Sequence, residues 1–381
     1  MQADELIVPW LDALRPALAG AALLDAHTHI GVDDPDGFRC TAAELLEALD
    51  LARARGIVFA MQEPGGYPPA NDAVLAAAQA SGGRLIAFCR VDPNADPLAE
   101  ARRCLDAGAR GIKLHPRAEG FTLAHPAVGE LCELAAERGV PVLTHAGRGI
   151  PSLGRDAVAL TGRLPGLRLI LAHAAITDLS WIWSALPERP NLMIDTSWWN
   201  PVELLALLSV VPPGHLLLAS DAPYGTPALG AAMLLRCAIH AGLSGERLSA
   251  MAGRRAERVL AGEELPDLGP APGPGPAPDP LLERLASQCV SAIGQLLAGG
   301  PDAGGALALA RLGCRLPDSD PRARVAASAA ELLAAAESAL AAGNGDRDSR
   351  RHAVRVTMLA AAAARCPDAP LPEPGAVARV G

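Results

Sequence analysis

Eight short apolar runs rich in β-forming residues recur along the first two thirds of the chain, at 23–27, 57–61, 85–91, 111–115, 141–145, 167–173, 192–196 and 216–221. Alanine- and leucine-rich stretches with helical spacing lie between them, among them 42–54, 72–80, 97–107, 126–138 and 201–208. Strands that are apolar throughout, rather than alternating, belong to a parallel sheet covered on both faces. Eight strand–helix units within about 240 residues predict an α/β fold, a closed (β/α)8 TIM barrel. Residues 3–20 read as a short amphipathic helix flanking the first strand, and the barrel is expected to occupy residues 1–262.

The texture changes after Leu260. Residues 263–280 (EELPDLGPAPGPGPAPDP) are rich in Pro and Gly and predict an extended, semi-stiff linker. Helical periodicity returns at 281–297, 323–341 and 348–365, with a further helix at 304–312, so residues 281–381 are expected to form a small Ala-rich helical domain. That domain has no acidic or histidine cluster. It reads either as a docking or oligomerisation module or as an appendage without catalytic consequence.

Charge and cysteine usage narrow the function classes. A net charge of −9, with no Lys/Arg cluster interleaved with aromatics, argues against a nucleic-acid surface. The eight cysteines form no CxxC and suit reduced, buried thiols. The first residues carry Asp4 and Glu5 rather than a basic segment before an apolar one, and no uncharged apolar run of about 18 residues predicts a membrane span. A cytoplasmic protein acting on a small molecule is expected, with a homo-oligomer as a candidate assembly.

A barrel of this type carries its active site at the C-terminal ends of its strands. Those ends offer His27 and His29 on strand 1 (DAHTHIG), Lys113 and His115 on strand 4 (GIKLHP) and His145 on strand 5 (VLTHAG). Strands 6 and 8 add His173 (LILAHAA) and Asp221 (LLASDAPYG), so five of the nine histidines fall at strand ends. His27 and His29 are two apart on a strand and therefore face the same way. Each residue alone has a plainer reading, a core histidine or a helix-capping aspartate, but their convergence on one mouth points to a metal. Histidine nitrogens with one carboxylate match Zn²⁺, with Mn²⁺ and Fe²⁺ as competitors.

Lys113 is the single lysine among 33 basic residues. A chain that otherwise uses arginine everywhere is expected to keep lysine only where an amine is needed. A buried amine can lose its proton, or react with CO₂ to form a carbamate that bridges two metals; binding a substrate anion is the favoured alternative. Arg117 and Arg148, just past strands 4 and 5, are candidates for a substrate carboxylate, as His115 is for substrate contact. Trp198 with Trp199 after strand 7, Tyr224 after strand 8, and Gln62, Glu63 and Tyr67 after strand 2 are candidate specificity residues.

Taken in order, these five motifs resemble the amidohydrolase superfamily, and within it the amidohydrolase-related branch of metal-dependent TIM-barrel enzymes, over roughly residues 22–262. The resemblance implies that His27, His29, His145 and Asp221 hold the metal. It makes His173 a ligand or a catalytic acid/base, and makes Lys113 a secondary metal candidate, since binuclear members carry a carboxylated lysine on strand 4. A hydrolase is expected in which metal-activated water attacks an amide, ester or lactone-type bond, Asp221 shuttles the proton and His173 polarises the carbonyl. The same branch implies a second reading, a non-oxidative decarboxylase or hydratase of a carboxylated aromatic or muconate-like substrate. A barrel that has lost its chemistry and only binds is the third reading.

Overall fold

The computed structural model describes residues 3–197, 200–300, 302–373 and 375. Its strands are β1 Leu23–Ile30, β2 Ala54–Ala60, β3 Leu85–Ala87 continued as Cys89–Arg90, β4 Ile112–Leu114, β5 Pro141–Thr144, β6 Arg168–Leu171, β7 Leu192–Asp195 and β8 Leu216–Leu217. All neighbours pair in parallel. Phe88 breaks the ladder inside β3, while its N–H donates to Val58 O at 2.9 Å and keeps the strand beside β2. Closure comes from the end of β8 returning to β1: Ala26 N–H donates to Leu218 O (2.8 Å), Asp221 N–H to His27 O (2.9 Å) and His29 N–H to Ala222 O (2.7 Å). The expected TIM barrel is the fold.

Alternation along each strand separates two cores. Leu24, Ala26, Ile57, Phe59, Phe88, Leu143, Ile170, Met193 and Leu217 fill the barrel interior. Their neighbours, such as Val58, Ala60, Val142 and Leu169, face outward under the helices. Because both faces are buried, the strands carry no polar alternation until they reach their C-terminal ends.

The C-terminal region is helical, in Pro280–Ala298, Ala303–Leu312, Ala323–Ala342 and Arg347–Arg365. It shares one apolar core with the barrel's outer layer. The helix Pro227–His240, which follows β8, is buried at every position from Pro227 to Ala238. A barrel helix ordinarily shows solvent one polar face; this one is covered outside by the final helix Arg347–Arg365. Buried Arg236 fastens the two, donating to Pro370 O (2.8 Å), Cys366 O (3.0 Å) and Ala369 O (3.3 Å). Residues 263–279 hold no helix or strand and are tied to the barrel where Arg168 donates to Glu263 O (2.6 Å) and Arg255 to Pro266 O (2.8 Å). The helix Ala323–Ala342 is long and apolar enough to cross a membrane, its most apolar 18-residue stretch having a mean hydropathy of 1.4. Its apolar residues Val325, Ala329, Leu332, Leu333 and Ala336 are buried in the helical layer.

Candidate metal centre

The C-terminal ends of the strands enclose a cavity of about 330 Å³ lined by His27, His29, Lys113, His115, His145, His173 and Asp221, with Gln62, Arg90, Arg117 and Tyr224 among its further walls. At its base three electron-pair donors meet. His27 Nε2 lies 3.1 Å from His29 Nε2, and Asp221 Oδ1 lies 3.2 Å and 3.1 Å from them. Asp195 Oδ2 stands 2.7 Å from His27 Nδ1. A carboxylate only accepts, so Nδ1 carries the proton and Nε2 presents its lone pair to the centre. His29 Nδ1 points to Ala60 O at 3.5 Å and leaves its Nε2 in the same state.

Two imidazole lone pairs and a carboxylate oxygen crowd together here. Burial, reinforced by nearby cationic groups, holds both histidines well below their ordinary pKa, so both rings are neutral electron-pair donors. The donor set therefore fits a divalent metal, and His27, His29 and Asp221 form the group able to hold it.

Backbone geometry holds the donors in place. Asp221 (φ +57°) and His173 (φ +56°) are both left-handed, and Ala174 and Ala175 continue that turn. Such residues cost of order 1–3 kcal/mol each and persist where surroundings over-determine them. The supports are visible here. Asp25 accepts from the N–H groups of His27 (3.1 Å) and Ser220 (2.9 Å), linking β1 to the end of β8. Asp195 Oδ1 accepts from His173 N–H (2.9 Å), Ser197 N–H (3.0 Å) and the Ser197 hydroxyl (2.5 Å). One carboxylate thus orients both His27 and the turn that carries His173.

His173 Nδ1 donates to Ser197 O (3.1 Å), which leaves its Nε2 toward the cavity. His145 packs edge-on against His173, with ring centroids 4.6 Å apart, and stacks on His115 at 4.0 Å. His145 Nε2 is buried with no hydrogen-bond partner, and burial pushes its pKa down to about 2, helped by His173. It stands outside the closest triad as a further neutral donor. Gly147 permits this packing, since a Cβ there would lie 2.9 Å from both the His145 and His173 rings.

Lys113 is fully buried, with Nζ 3.2 Å from His27 Nε2 and 4.4 Å from the Phe59 ring centroid. Burial and then the charge of Arg90 bring its pKa down to about 7. The structure thus sets its amine against the metal donors at the cavity base. Burial raises the Asp221 carboxyl well above its ordinary value, against the opposing pull of Lys113.

Other anticipated residues divide. Arg117 and Tyr224 line the cavity, and Gln62 does so at the end of β2. Arg148 is exposed and outside the lining, its charge acting on Glu203. Tyr67 turns instead to Glu119, which its hydroxyl meets at 2.5 Å. Trp198 and Trp199 lie outside the described residues.

Two residues of the site had escaped the motif reading. Arg90, at the end of β3, is buried against Glu119 at 2.7 Å and lines the cavity. Asp195, at the end of β7, is the support described above. Both had the same signal as the motif residues, a charged side chain closing an apolar strand (FCRVD, LMIDT).

Among curated proteins, no sequence matches the chain. Among solved structures, an amidohydrolase from Burkholderia multivorans with bound zinc aligns at 19% identity and TM-score 0.52, over 65% of this chain and 100% of that one. The form of that protein with bound HEPES aligns at 17% identity and TM-score 0.51, over 65% and 100%. An uncharacterised TIM-barrel protein from Bordetella bronchiseptica gives 14% and 0.50, over 63% of this chain and 99% of its own. These likenesses establish the barrel. The sequence profile of the amidohydrolase family matches residues 69–262, just over half of the chain, starting after the strand that carries His27 and His29. On that match, the chain belongs to the amidohydrolase family.

Proposed function

We propose that this protein is a metal-dependent hydrolase cleaving an amide, ester or lactone-type C–N or C–O bond of a small molecule. The observation that carries the reading is the approach of His27 Nε2, His29 Nε2 and Asp221 Oδ1 to within 3.1–3.2 Å at the base of a cavity. A divalent metal held by these groups, with His145 as a further donor and zinc the best match to imidazole and carboxylate, supplies a Lewis acid and lowers the pKa of water toward about 7. Asp221, whose Oδ1 meets the two histidine nitrogens, would take a proton from the attacking water on its carboxylate and return it to the leaving group. His173, whose Nδ1 proton is committed to Ser197 O, presents a lone-pair Nε2 to the cavity and there accepts a proton from water or substrate, rather than polarising the carbonyl as the resemblance implied. Cavity walls at Gln62, Arg117 and Tyr224 hold the remainder of the substrate.

Arg90 and Arg117 in the same cavity favour a second reading. Two guanidinium groups suit a substrate carboxylate, and a carboxylated substrate belongs to decarboxylation or hydration as readily as to hydrolysis.

The test combines elemental analysis with turnover. Protein produced separately with zinc and with manganese is analysed for metal, then assayed on ester and lactone panels and for CO₂ release from aromatic acids. About one metal per chain together with ester or lactone cleavage is the expected result, and two would favour a carboxylated Lys113. Asp221→Asn should keep much of the metal and lose at least a hundredfold in turnover; an active Asn variant would remove the proton-shuttle role. Absence of stoichiometric metal in both preparations would overturn the reading.

A further inference from the structure

A second cavity, of about 470 Å³, lies between the barrel mouth and the C-terminal helices. Its barrel wall is Phe38 from the loop after β1, with Tyr224 and Leu229 after β8; its other wall is Leu296 and Leu297 of Pro280–Ala298, with Val354 and Met358 of the final helix. Four arginines complete the lining, Arg347, Arg350, Arg351 and Arg355. Positions 347, 351 and 355 are four apart and so form one stripe on the helix.

This stripe is under-neutralised. Among the described residues only Arg351 of the four has a carboxylate within 4.0 Å, Asp348 at 3.6 Å, and that side chain is 90% exposed. Arg347, Arg350 and Arg355 donate instead to the carbonyls of Asp36 (2.8 Å), Gly345 (2.6 Å) and Pro223 (3.4 Å). Arg351 Nη2 is buried without a partner. The guanidinium groups of Arg351 and Arg347 lie 4.1 Å and 5.1 Å from the Phe38 ring centroid. In a chain of net charge −9, four cations on three turns around an apolar hollow form a local field of the opposite sign.

The hollow also adjoins the metal centre. Tyr224 lines both cavities. Its ring meets His29 edge-on at 5.5 Å and Phe38 at 4.4 Å, and its hydroxyl donates to Asp34 Oδ2 at 2.5 Å. A series of ring contacts therefore runs from a metal donor to the arginine stripe.

We propose that the C-terminal helices build a second binding pocket, in which the arginine stripe takes the head group and Phe38, Leu296, Val354 and Met358 take the body of an amphipathic organic anion. The volume falls within the roughly 300–1,000 Å³ of small-molecule sites, and an apolar lining with the four arginines along one wall suits an anion that has an apolar body. The pocket stands independently of the reaction performed next door.

The test uses the full chain and three probes in isothermal titration: octyl phosphate, inorganic phosphate and 1-octanol. Octyl phosphate should bind at least tenfold more tightly than either fragment, and more weakly as salt rises. R347Q/R351Q should lose about tenfold or more in octyl phosphate affinity, while R351K keeps most of it and both variants retain the wild-type thermal midpoint. Equal binding of octanol and octyl phosphate would reduce the hollow to an apolar gap. Equal binding of both phosphates, or an unchanged affinity in the double variant, would also overturn the proposal. None of these readouts depends on turnover, so failure here leaves the hydrolase reading untouched.

Discussion

At the scale of single residues, Asp195 is the group on which most depends without touching the cavity. It sets the tautomer of His27 and anchors the turn bearing His173. Metal-binding histidines are commonly oriented by such a carboxylate, and losing it costs tenfold to a hundredfold in metal affinity. Asp195→Asn should keep the fold and weaken metal binding by about that factor, measured by competition with a chelator; unchanged affinity would leave Asp195 as a capping residue alone. Protonation gives a second expectation. Burial lowers the pKa of His27, His29, His115, His145 and His173 in the folded chain. Below about pH 6.5 the unfolded chain therefore takes up protons that the folded one refuses, and stability falls with pH. Asp25, raised to about 7, and Asp221 act in the opposite sense, but two carboxyls do not offset five imidazoles. The metal-free protein should show a urea midpoint that drops steadily from pH 6.5 to pH 5. A midpoint that held or rose across this range would mean that the histidines are not buried in neutral form.

At the scale of elements, the helix Pro227–His240 is the most informative. It is the helix that eight strand–helix units require after the last strand, and TPALGAAMLLRCAIHA supplies good helix formers, with Thr226 capping its start by accepting from Leu229 N–H at 3.3 Å. Its bounds are hard to read from spacing because it has no polar face: periodicity marks helix limits by contrast, and a helix buried all round has none. Arg236 is its one charged residue, and burial lowers its pKa to about 10. Arg236→Met should cost about 3 kcal/mol, because three carbonyls of the C-terminal segment lose their donor. Urea unfolding measures this, and a loss below about 0.5 kcal/mol would show that the carbonyls find other partners.

For the molecule as a whole, the C-terminal helices are part of the folded unit and also wall the cationic hollow. Residues 1–262 alone should expose the outer side of Pro227–His240 together with Trp10, which lies against Arg236 at 5.2 Å. That truncation is expected to aggregate or to melt at least 10 °C below the full chain, by size-exclusion chromatography and thermal unfolding. A monodisperse truncated barrel with the full chain's midpoint would make the helices an independent appendage, one of the two roles their composition suggested.

The strand rhythm and the residues closing each strand were legible in the chain itself. Period and position are local properties, and a parallel barrel brings every strand's C-terminal end to one mouth. His27, His29, His173 and Asp221 could be named on that basis, as could the helices of the C-terminal region from their spacing. Tertiary structure decided what those residues meet. That Asp195 faces His27 across 168 positions, that burial and then Arg90 lower the pKa of Lys113, and that Arg148 lies outside the cavity lining all follow from closure of the barrel. Nothing in the sequence singles out the arginine stripe on the final helix. It became the wall of a pocket only when that helix packed beside Phe38 and Tyr224, a juxtaposition that no local pattern encodes.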